Sequence, residues 1–241
     1  MRPEGRRPDQ LRPLAFQRGF TRNAAGSVLV TSGRTWVLCT CCVEAAVPPF
    51  LVGRGKGWLS AEYGMLPGST STRKARDRAG KIDGRSVEIQ RLIGRSLRAV
   101  VNLEKLGERT LWLDCDVLEA DGGTRTAAIN GAYVALLDAL AAHKAVLGPP
   151  SAIVRGSVAA VSVGLLGDVA LLDLAYAEDR DADVDLNLVM TGAGEYVEVQ
   201  GSGEEATFSR VQLDRLLKLG KVGIDAITAA QRRALGSNWP L

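Results

Sequence analysis

Strand-like segments gathered around single helices are the feature that most constrains the fold. Runs rich in β-branched and aromatic residues, bounded by Gly, Asn and Ser, predict strands at 11–20, 26–32, 34–44, 58–66, 111–118, and near 152–165, 168–176, 184–191 and 194–200. Apolar residues at three- and four-residue steps predict helices through 89–101, over 126–145 and over about 209–233. Because strands and helices do not alternate one for one, the pattern favours an α+β fold with mixed sheets over a doubly wound parallel sheet.

The composition is that of an ordinary globular chain, with 46% hydrophobic and 24% charged residues. No Ser/Gly-rich linker divides it, so a single domain over residues 1–241 is predicted. No apolar run approaches the roughly 18 residues that span a bilayer. The charged N-terminal segment lacks the apolar stretch of a secretion signal. We therefore expect a cytoplasmic protein that does not bind membranes.

The cysteines argue against a zinc site. Cys39, Cys41 and Cys42 share one predicted strand, on which successive side chains point to opposite faces, so the three cannot converge on one ion. They are predicted to be reduced core residues. His143 is the single histidine and is expected at a helix end or on the surface, without a catalytic role.

Charge is distributed unevenly, although the net charge is only +3. Residues 1–22 and 73–98 are rich in arginine and lysine, and acidic residues collect in 178–185. A basic segment together with an acidic loop is typical of a protein that holds a polyanion and performs metal-assisted chemistry on it. The alternative is a solvated charged face.

A glycine turn between the strand at 111–118 and the following helix is a candidate phosphate site. Gly122 and Gly123 allow the backbone to approach an anion, and the first amides of a helix point outward without intrahelical partners. Thr124 and Thr126 offer hydroxyl donors, and Arg125 offers a forked cation. The Gly-Lys-Ser/Thr ending of a P-loop is absent. An ordinary turn with a threonine cap is the alternative.

Arg85 is the natural second cation for such an anion. It follows Asp83 and Gly84 at the start of another predicted helix, where a positive charge is unfavourable for the helix dipole. A shared anion would account for this placement, whereas simple solvent exposure is the alternative.

Asp179 and Asp185 bracket a short acidic segment and form a candidate carboxylate pair for a hard divalent ion. Mg²⁺ typically takes one or two protein carboxylates and leaves its other positions to water and phosphate. An EF-hand is excluded because Val184 and Met190 occupy the positions that require glycine and glutamate. A solvated acidic turn remains the alternative.

The ordered set of motifs resembles the ribonuclease PH family over essentially the whole chain. The matching segments are 5–6, 10–13, 26–30, 47–50, 57–67, 84–85, 88–98, 106–109, 114–118, 121–128, 184–187 and 199–208. The resemblance implies an RNase PH fold, which is like ribosomal protein S5 domain 2, with mixed β-sheets and helices. It also implies a homohexamer built as a trimer of dimers.

The activity that the resemblance implies is phosphorolytic 3′→5′ exoribonuclease, or tRNA nucleotidyltransferase. Inorganic phosphate is the co-substrate and Mg²⁺ the cofactor. The partners are tRNA precursors and other RNA 3′ ends, including rRNA, and nucleoside diphosphates are released reversibly. The implied residues are phosphate-binding Arg85, Gly123, Thr124 and Arg125; catalytic and metal-holding Asp179 and Asp185; and RNA-binding Arg73 and Arg76.

Three segments depart from the family pattern. Gly68 stands where the family often has a loop arginine, Cys41-Cys42 replaces a small pair, and residues 148–157 form a shorter segment than usual. Two other classes are weighed against the enzyme: a non-catalytic RNA-binding ring subunit, and a phosphotransferase for small nucleotides. The presence of every implied phosphate and metal ligand disfavours the first, and the arginines at 73 and 76 disfavour the second.

Overall fold

The computed structural model describes residue 2 and residues 5–76, 83–204 and 206–241. The strands are β1 (Leu14–Arg18), β2 (Gly26–Ser32), β3 (Thr35–Glu44), β4 (Trp58–Met65), β5 (Thr110–Glu119), β6 (Val158–Leu166), β7 (Val169–Leu172), β8 (Val184–Thr191) and β9 (Tyr196–Gly203). The helices are α1 (Gly84–Arg98), α2 (Thr124–Ala142), α3 (Lys144–Leu147), α4 (Pro150–Ile153), α5 (Tyr176–Arg180) and α6 (Arg210–Leu235). Arg78 and Lys81 of the predicted basic segment lie outside the described residues.

Two sheets form the framework. The first has the strand order β1-β2-β3-β5-β4, in which only the β4–β5 pair is parallel. The second has the order β7-β6-β8-β9 and is antiparallel throughout. The predicted α+β class with mixed sheets is therefore confirmed.

Helix α2 is the central element because it packs against β2 and β3 of the first sheet and β6 of the second. It is buried on nearly all sides. A Cβ on Gly131 would lie 2.7 Å from Cys39 Sγ, so glycine permits the close approach of helix to strand. The buried Asn130 side chain donates to and accepts from the backbone of Ala160, each at 2.8 Å. These bonds fix α2 to the second sheet, and the close approach at Gly131 packs it on the first, so both sheets position the proposed phosphate turn at which α2 begins.

The apolar residues form two main clusters, one around the first sheet with α1 and α2, and one between the second sheet and α6. The predicted apolar stripe of the first helix is buried, as Ile89, Leu92, Ile93, Leu97, Val100 and Val101 show. The single-domain organisation stays a prediction. Within the part of the chain that the structure describes, no helix is long and apolar enough to cross a membrane.

Several predicted boundaries are wrong. The strand expected over 11–20 shortens to β1, which follows Pro13 and ends at the turn around Gly19. The strand expected near 152–165 begins only at Val158, because Pro150 opens the short helix α4. The strand expected over 168–176 ends at Leu172, since Asp173 adopts a positive φ of 55°.

The prediction of buried, reduced cysteines is confirmed for Cys39 and Cys41, and Cys115 is likewise a buried free thiol. It is wrong for Cys42, which is exposed because its side chain points to the opposite face of β3. Burial raises the pKa of Cys41 above its usual range, which keeps this thiol protonated. His143 directly follows α2, which confirms its predicted position at a helix end.

Candidate phosphate and RNA site

The turn before α2 has the shape that the sequence predicts. Gly122 and Gly123 have positive φ values of 77° and 66°, and Thr124 is the first helical residue, two positions earlier than expected. A Cβ on Gly122 would lie 2.6 Å from the Leu174 carbonyl oxygen, so only glycine fits between the turn and the segment before α5. The backbone amides at the start of α2 therefore lie close to the segment that leads into α5.

A buried ion pair supports this turn from beneath. Arg12 Nη2 lies 2.6 Å from Asp173 Oδ1, and both side chains are buried. Arg12 also donates to the Asp121 carbonyl at 2.6 Å, and Thr35 donates to the Gly122 carbonyl at 2.6 Å. Burial acts to lower the pKa of Arg12, but the hydrogen bond and charge of Asp173, together with the charges of Asp121 and Glu178, outweigh burial and raise the pKa, so the guanidinium stays charged.

The two threonines of the turn have different roles. Tyr63 donates its phenol hydrogen to Thr124 Oγ1 at 2.9 Å, which leaves the Thr124 hydroxyl hydrogen for an anion. Thr126 instead donates to the Gly123 carbonyl at 2.9 Å, so its expected role as an anion donor is wrong. Burial raises the pKa of Tyr63 and keeps its phenol protonated, although the charges of Arg85 and Arg125 act in the opposite direction.

Arg125 is held by two side chains that the sequence analysis did not assign to the site. Its Nη1 donates to Gln200 Oε1 at 2.7 Å and lies 3.3 Å from Glu88 Oε1. Gln200 Nε2 donates to the same Glu88 oxygen at 2.7 Å. The hydrogen bond from Gln200 lowers the pKa of Glu88, and the charges of Arg125 and Arg85 lower it further. Glu88 therefore contacts Arg125 and is also influenced by the charge of Arg85.

Arg85 lies in the first turn of α1, as predicted. Its backbone amide donates to Asp83 Oδ1 at 3.2 Å, and its side chain is exposed. Asp83 also accepts from Lys74 at 2.7 Å. Glu88 of α1 lies 3.3 Å from Arg125 of α2, and the charge of Arg85 also lowers the pKa of Glu88, so the starts of α1 and α2 lie close together.

Asp179 and Asp185 are brought to this space from the second sheet. Asp179 lies in the short helix α5, not in the loop expected from the sequence, and Asp185 lies in β8. Asp179 is exposed as a residue, but neighbouring protein atoms partly desolvate its carboxylate, and this desolvation raises its pKa. The charge of Asp185 raises the pKa further. The charges of Arg85 and Arg125 oppose this rise. Asp185 is oriented by Ser202 Oγ, which donates to its Oδ1 at 2.8 Å.

Comparison with known proteins identifies the family. A model of the 3′ exoribonuclease family, domain 1, matches residues 10–141, and the domain 2 model matches residues 156–223. The ribonuclease PH of Rhodopirellula baltica is 57% identical over 232 residues, which cover 94% of this chain and 94% of that protein. The chain belongs to the ribonuclease PH family. It is therefore a phosphorolytic 3′ exoribonuclease, and inorganic phosphate is its co-substrate.

Solved structures show the same fold at low identity. Rice (Oryza sativa) Rrp46 superposes with a TM-score of 0.78 at 22% identity, covering 97% of this chain and 100% of the rice chain. The Archaeoglobus fulgidus exosome, solved with RNA bound to its active site, gives 0.77 at 24% identity, covering 96% of this chain and 91% of that chain. These likenesses confirm the RNase PH fold.

The basic segments behave differently from one another. Arg73 and Arg76 are exposed in an irregular segment, as RNA-binding residues must be, while residues 77–82 lie outside the described part. The N-terminal arginines are mostly structural, because Arg2 pairs with buried Glu178 at 2.7 Å and Arg18 pairs with Asp138 at 2.6 Å. The expectation that residues 1–22 add to a basic surface for a polyanion is therefore wrong for these positions.

Proposed function

We propose that the chain trims the 3′ ends of tRNA precursors in the cytoplasm, with rRNA as a further substrate. Inorganic phosphate attacks the last phosphodiester, the bond to the 3′ oxygen of the preceding nucleotide breaks, and a nucleoside diphosphate leaves. Because phosphorolysis conserves the bond energy, excess nucleoside diphosphate drives the reverse addition of nucleotides. The observation that supports the proposal is a set of contacts that brings the N-terminus of α2 close to the carboxylate pair. Gln200 and Ser202 of β9 bind Arg125 and Asp185, and Gly122 packs against the segment that leads into α5 and Asp179.

The attacking phosphate is assigned to Arg85, Gly123, Thr124 and Arg125. The main obstacle to the reaction is electrostatic, since one anion must approach another. Two guanidinium groups, a free hydroxyl hydrogen on Thr124 and the outward amides of α2 supply positive charge and direction. Nη1 is the Arg125 atom bound to Glu88 and Gln200, so Nε and Nη2 are left for a phosphate oxygen.

Asp179 and Asp185 fit a magnesium ion. Their charges interact closely enough for Asp185 to raise the pKa of Asp179, and two carboxylates are a usual protein contribution to a Mg²⁺ site. Among the described residues no three His, Cys, Asp or Glu side chains form a metal cluster, so the pair would act with water and substrate oxygens. The ion would supply charge neutralisation at the scissile phosphate. Ser202 fixes the direction of Asp185 by its hydrogen bond.

Two further features belong to the proposal. Arg73 and Arg76 would bind the RNA backbone beyond the site, because exposed guanidinium groups are suited to phosphate oxygens. The assembly would be a homohexamer arranged as a trimer of dimers. A native mass measured by light scattering tests the assembly directly.

The deciding assay follows a 3′-extended tRNA with and without inorganic phosphate. We expect nucleoside diphosphate only when phosphate is present; equal digestion without phosphate, or release of monophosphates, contradicts the proposal. No release at all under any condition would favour the non-catalytic RNA-binding subunit.

Arg85→Ala tests the assignment of the phosphate cations. Loss of a charged hydrogen-bond donor is expected to raise the KM for phosphate by roughly 10-fold or more. Arg91→Ala is the matched control, since Arg91 is an exposed arginine of the same helix that takes no part in the proposed site. A KM for phosphate equal to that of the control removes Arg85 from the site.

A further inference from the structure

A polar groove opens beside the proposed catalytic site. It has a volume of about 560 Å³ and lies between the segment Gly68 to Thr72, the end of β5 and Tyr176. Asp121, which lines the groove, directly precedes the phosphate turn. Its carbonyl accepts the backbone amide of Tyr176 at 3.2 Å, and Tyr176 begins the helix that carries Asp179. The groove therefore continues from the site toward the exposed arginine segment at 73–76.

The catalytic site does not explain why Tyr176 is 58% exposed beside a concave surface. Ser71 and Thr72 line the same groove and are exposed as well. The backbone next to them is fixed, since the Ser69 amide donates to the Leu66 carbonyl at 2.9 Å and the Ser69 carbonyl accepts from the Ala120 amide at 2.8 Å. The groove therefore presents an aromatic ring and hydroxyl groups that a ligand can reach.

The charges of the groove select the kind of ligand. Arg34 and Glu119 form an ion pair at 3.0 Å and so cancel, which leaves the Asp121 carboxylate and a row of hydroxyls. Such a lining is unsuited to phosphate groups. Hydroxyl and carboxylate oxygens suit ribose hydroxyls, and an exposed aromatic ring suits the face of a base.

We propose that this groove is a ribonucleoside subsite for a nucleotide upstream of the scissile bond. The Tyr176 ring stacks on the base, and the side of the groove with Ser71 and Asp121 bonds the ribose hydroxyls. This inference rests on the proposed function, because that function places the RNA 3′ end next to Asp121. The subsite binds a neutral nucleoside portion, while Arg73 and Arg76 bind phosphates.

Tyr176→Ala and Tyr176→Phe test the stacking. The dissociation constant of a fluorescent single-stranded RNA, measured without phosphate so that no turnover occurs, should rise about 10-fold or more for Tyr176→Ala, the size of one base–aromatic stack. Tyr176→Phe should bind like the wild type because it keeps the ring. Tyr196→Ala is the matched control: Tyr196 is 52% exposed but pairs with Met190, at the end of β8 opposite Asp185. If Tyr176→Ala binds like the control, or Tyr176→Phe loses as much as Tyr176→Ala, the subsite is refuted.

Gly68→Glu and Gly68→Gln form a second, independent pair. A Cβ on Gly68 would meet nothing within 4 Å, so a side chain can begin at this position without a clash. The added carboxylate should weaken RNA binding several-fold, and the isosteric amide should not; equal affinity of the two variants overturns the proposal. Because binding is measured without phosphate, this result is separate from the phosphate-dependence assay, whose failure would overturn the proposed function itself.

Discussion

Replacing Gln200 by Ala tests how Arg125 is held for phosphate. The Gln200 amide accepts from Arg125 Nη1 at 2.7 Å and donates to Glu88 at 2.7 Å. It therefore holds both the arginine and the carboxylate that also contacts the arginine. Without it, Arg125 keeps only the longer contact of 3.3 Å to Glu88. The guanidinium would then sample more orientations before phosphate binds, and the ordering cost would fall on binding.

The size of the effect follows from this ordering cost. Immobilising a long side chain on binding costs about 0.5–1.5 kcal/mol, and Arg125 loses its shorter anchor, so the upper end applies. About 1.4 kcal/mol corresponds to a tenfold change in a binding constant, so the KM for phosphate should rise roughly 10-fold. Gln200→Glu should raise it further, because a second carboxylate beside Glu88 would offset the charge of Arg125.

The assay is the initial rate of nucleoside diphosphate release against phosphate concentration at saturating RNA. Gln17→Ala is the control, since Gln17 is an exposed glutamine on β1 that lines no part of the site. A KM for phosphate equal to that of the control would refute the positioning role. A KM below the wild-type value would show instead that Gln200 competes with phosphate for Arg125.

Two further predictions concern stability. Asp173→Ala leaves buried Arg12 unpaired and should lower the free energy of unfolding by about 3–5 kcal/mol, measured by urea denaturation. Burial raises the pKa of Asp114 above 3.8 and also that of Asp116, which the charge of Asp114 raises further. Ionisation therefore costs stability as pH rises through these values, so Asp114→Asn should unfold at a higher temperature than the wild type near pH 7. That gain should vanish near pH 3, where Asp114 of the wild type and Asp116 of both proteins are protonated, and a gain that persists there would contradict the argument.

Long elements with a regular repeat of apolar residues could be predicted from the sequence. The strands β2 and β8 begin and end at the expected residues, and the buried stripe of α1 is the expected one. The short helix α5 could not be predicted, because five residues carry no readable period. Its Glu178 accepts from the Ala175 amide at 2.9 Å and pairs with Arg2, which lies 176 positions earlier. A contact over that separation leaves no local pattern.

The residues of the proposed site also separate into those with a local sequence pattern and those that depend on long-range contacts. A glycine turn before a helix, a cation at a helix start and spaced aspartates are local patterns, so the residues from Arg85 to Asp185 could be named. Glu88 and Gln200 bond across 112 positions, and this contact depends on how the second sheet packs on the first half of the chain. The one local signal was an acid one helical turn after Arg85, which places a carboxylate beside a cation.

The edge strand β9 couples the two ends of the proposed site. Gln200 and Ser202 lie two residues apart and so project to the same face, where one binds Arg125 and the other binds Asp185. A slip of one residue in the β8–β9 register would turn both away together. Arg125 belongs to the half matched by domain 1 of the family, and Asp185, Gln200 and Ser202 belong to the half matched by domain 2. Arg125 and Asp185 are therefore held in the proposed site only when the two halves pack together around α2. Either half alone would lack part of the proposed site.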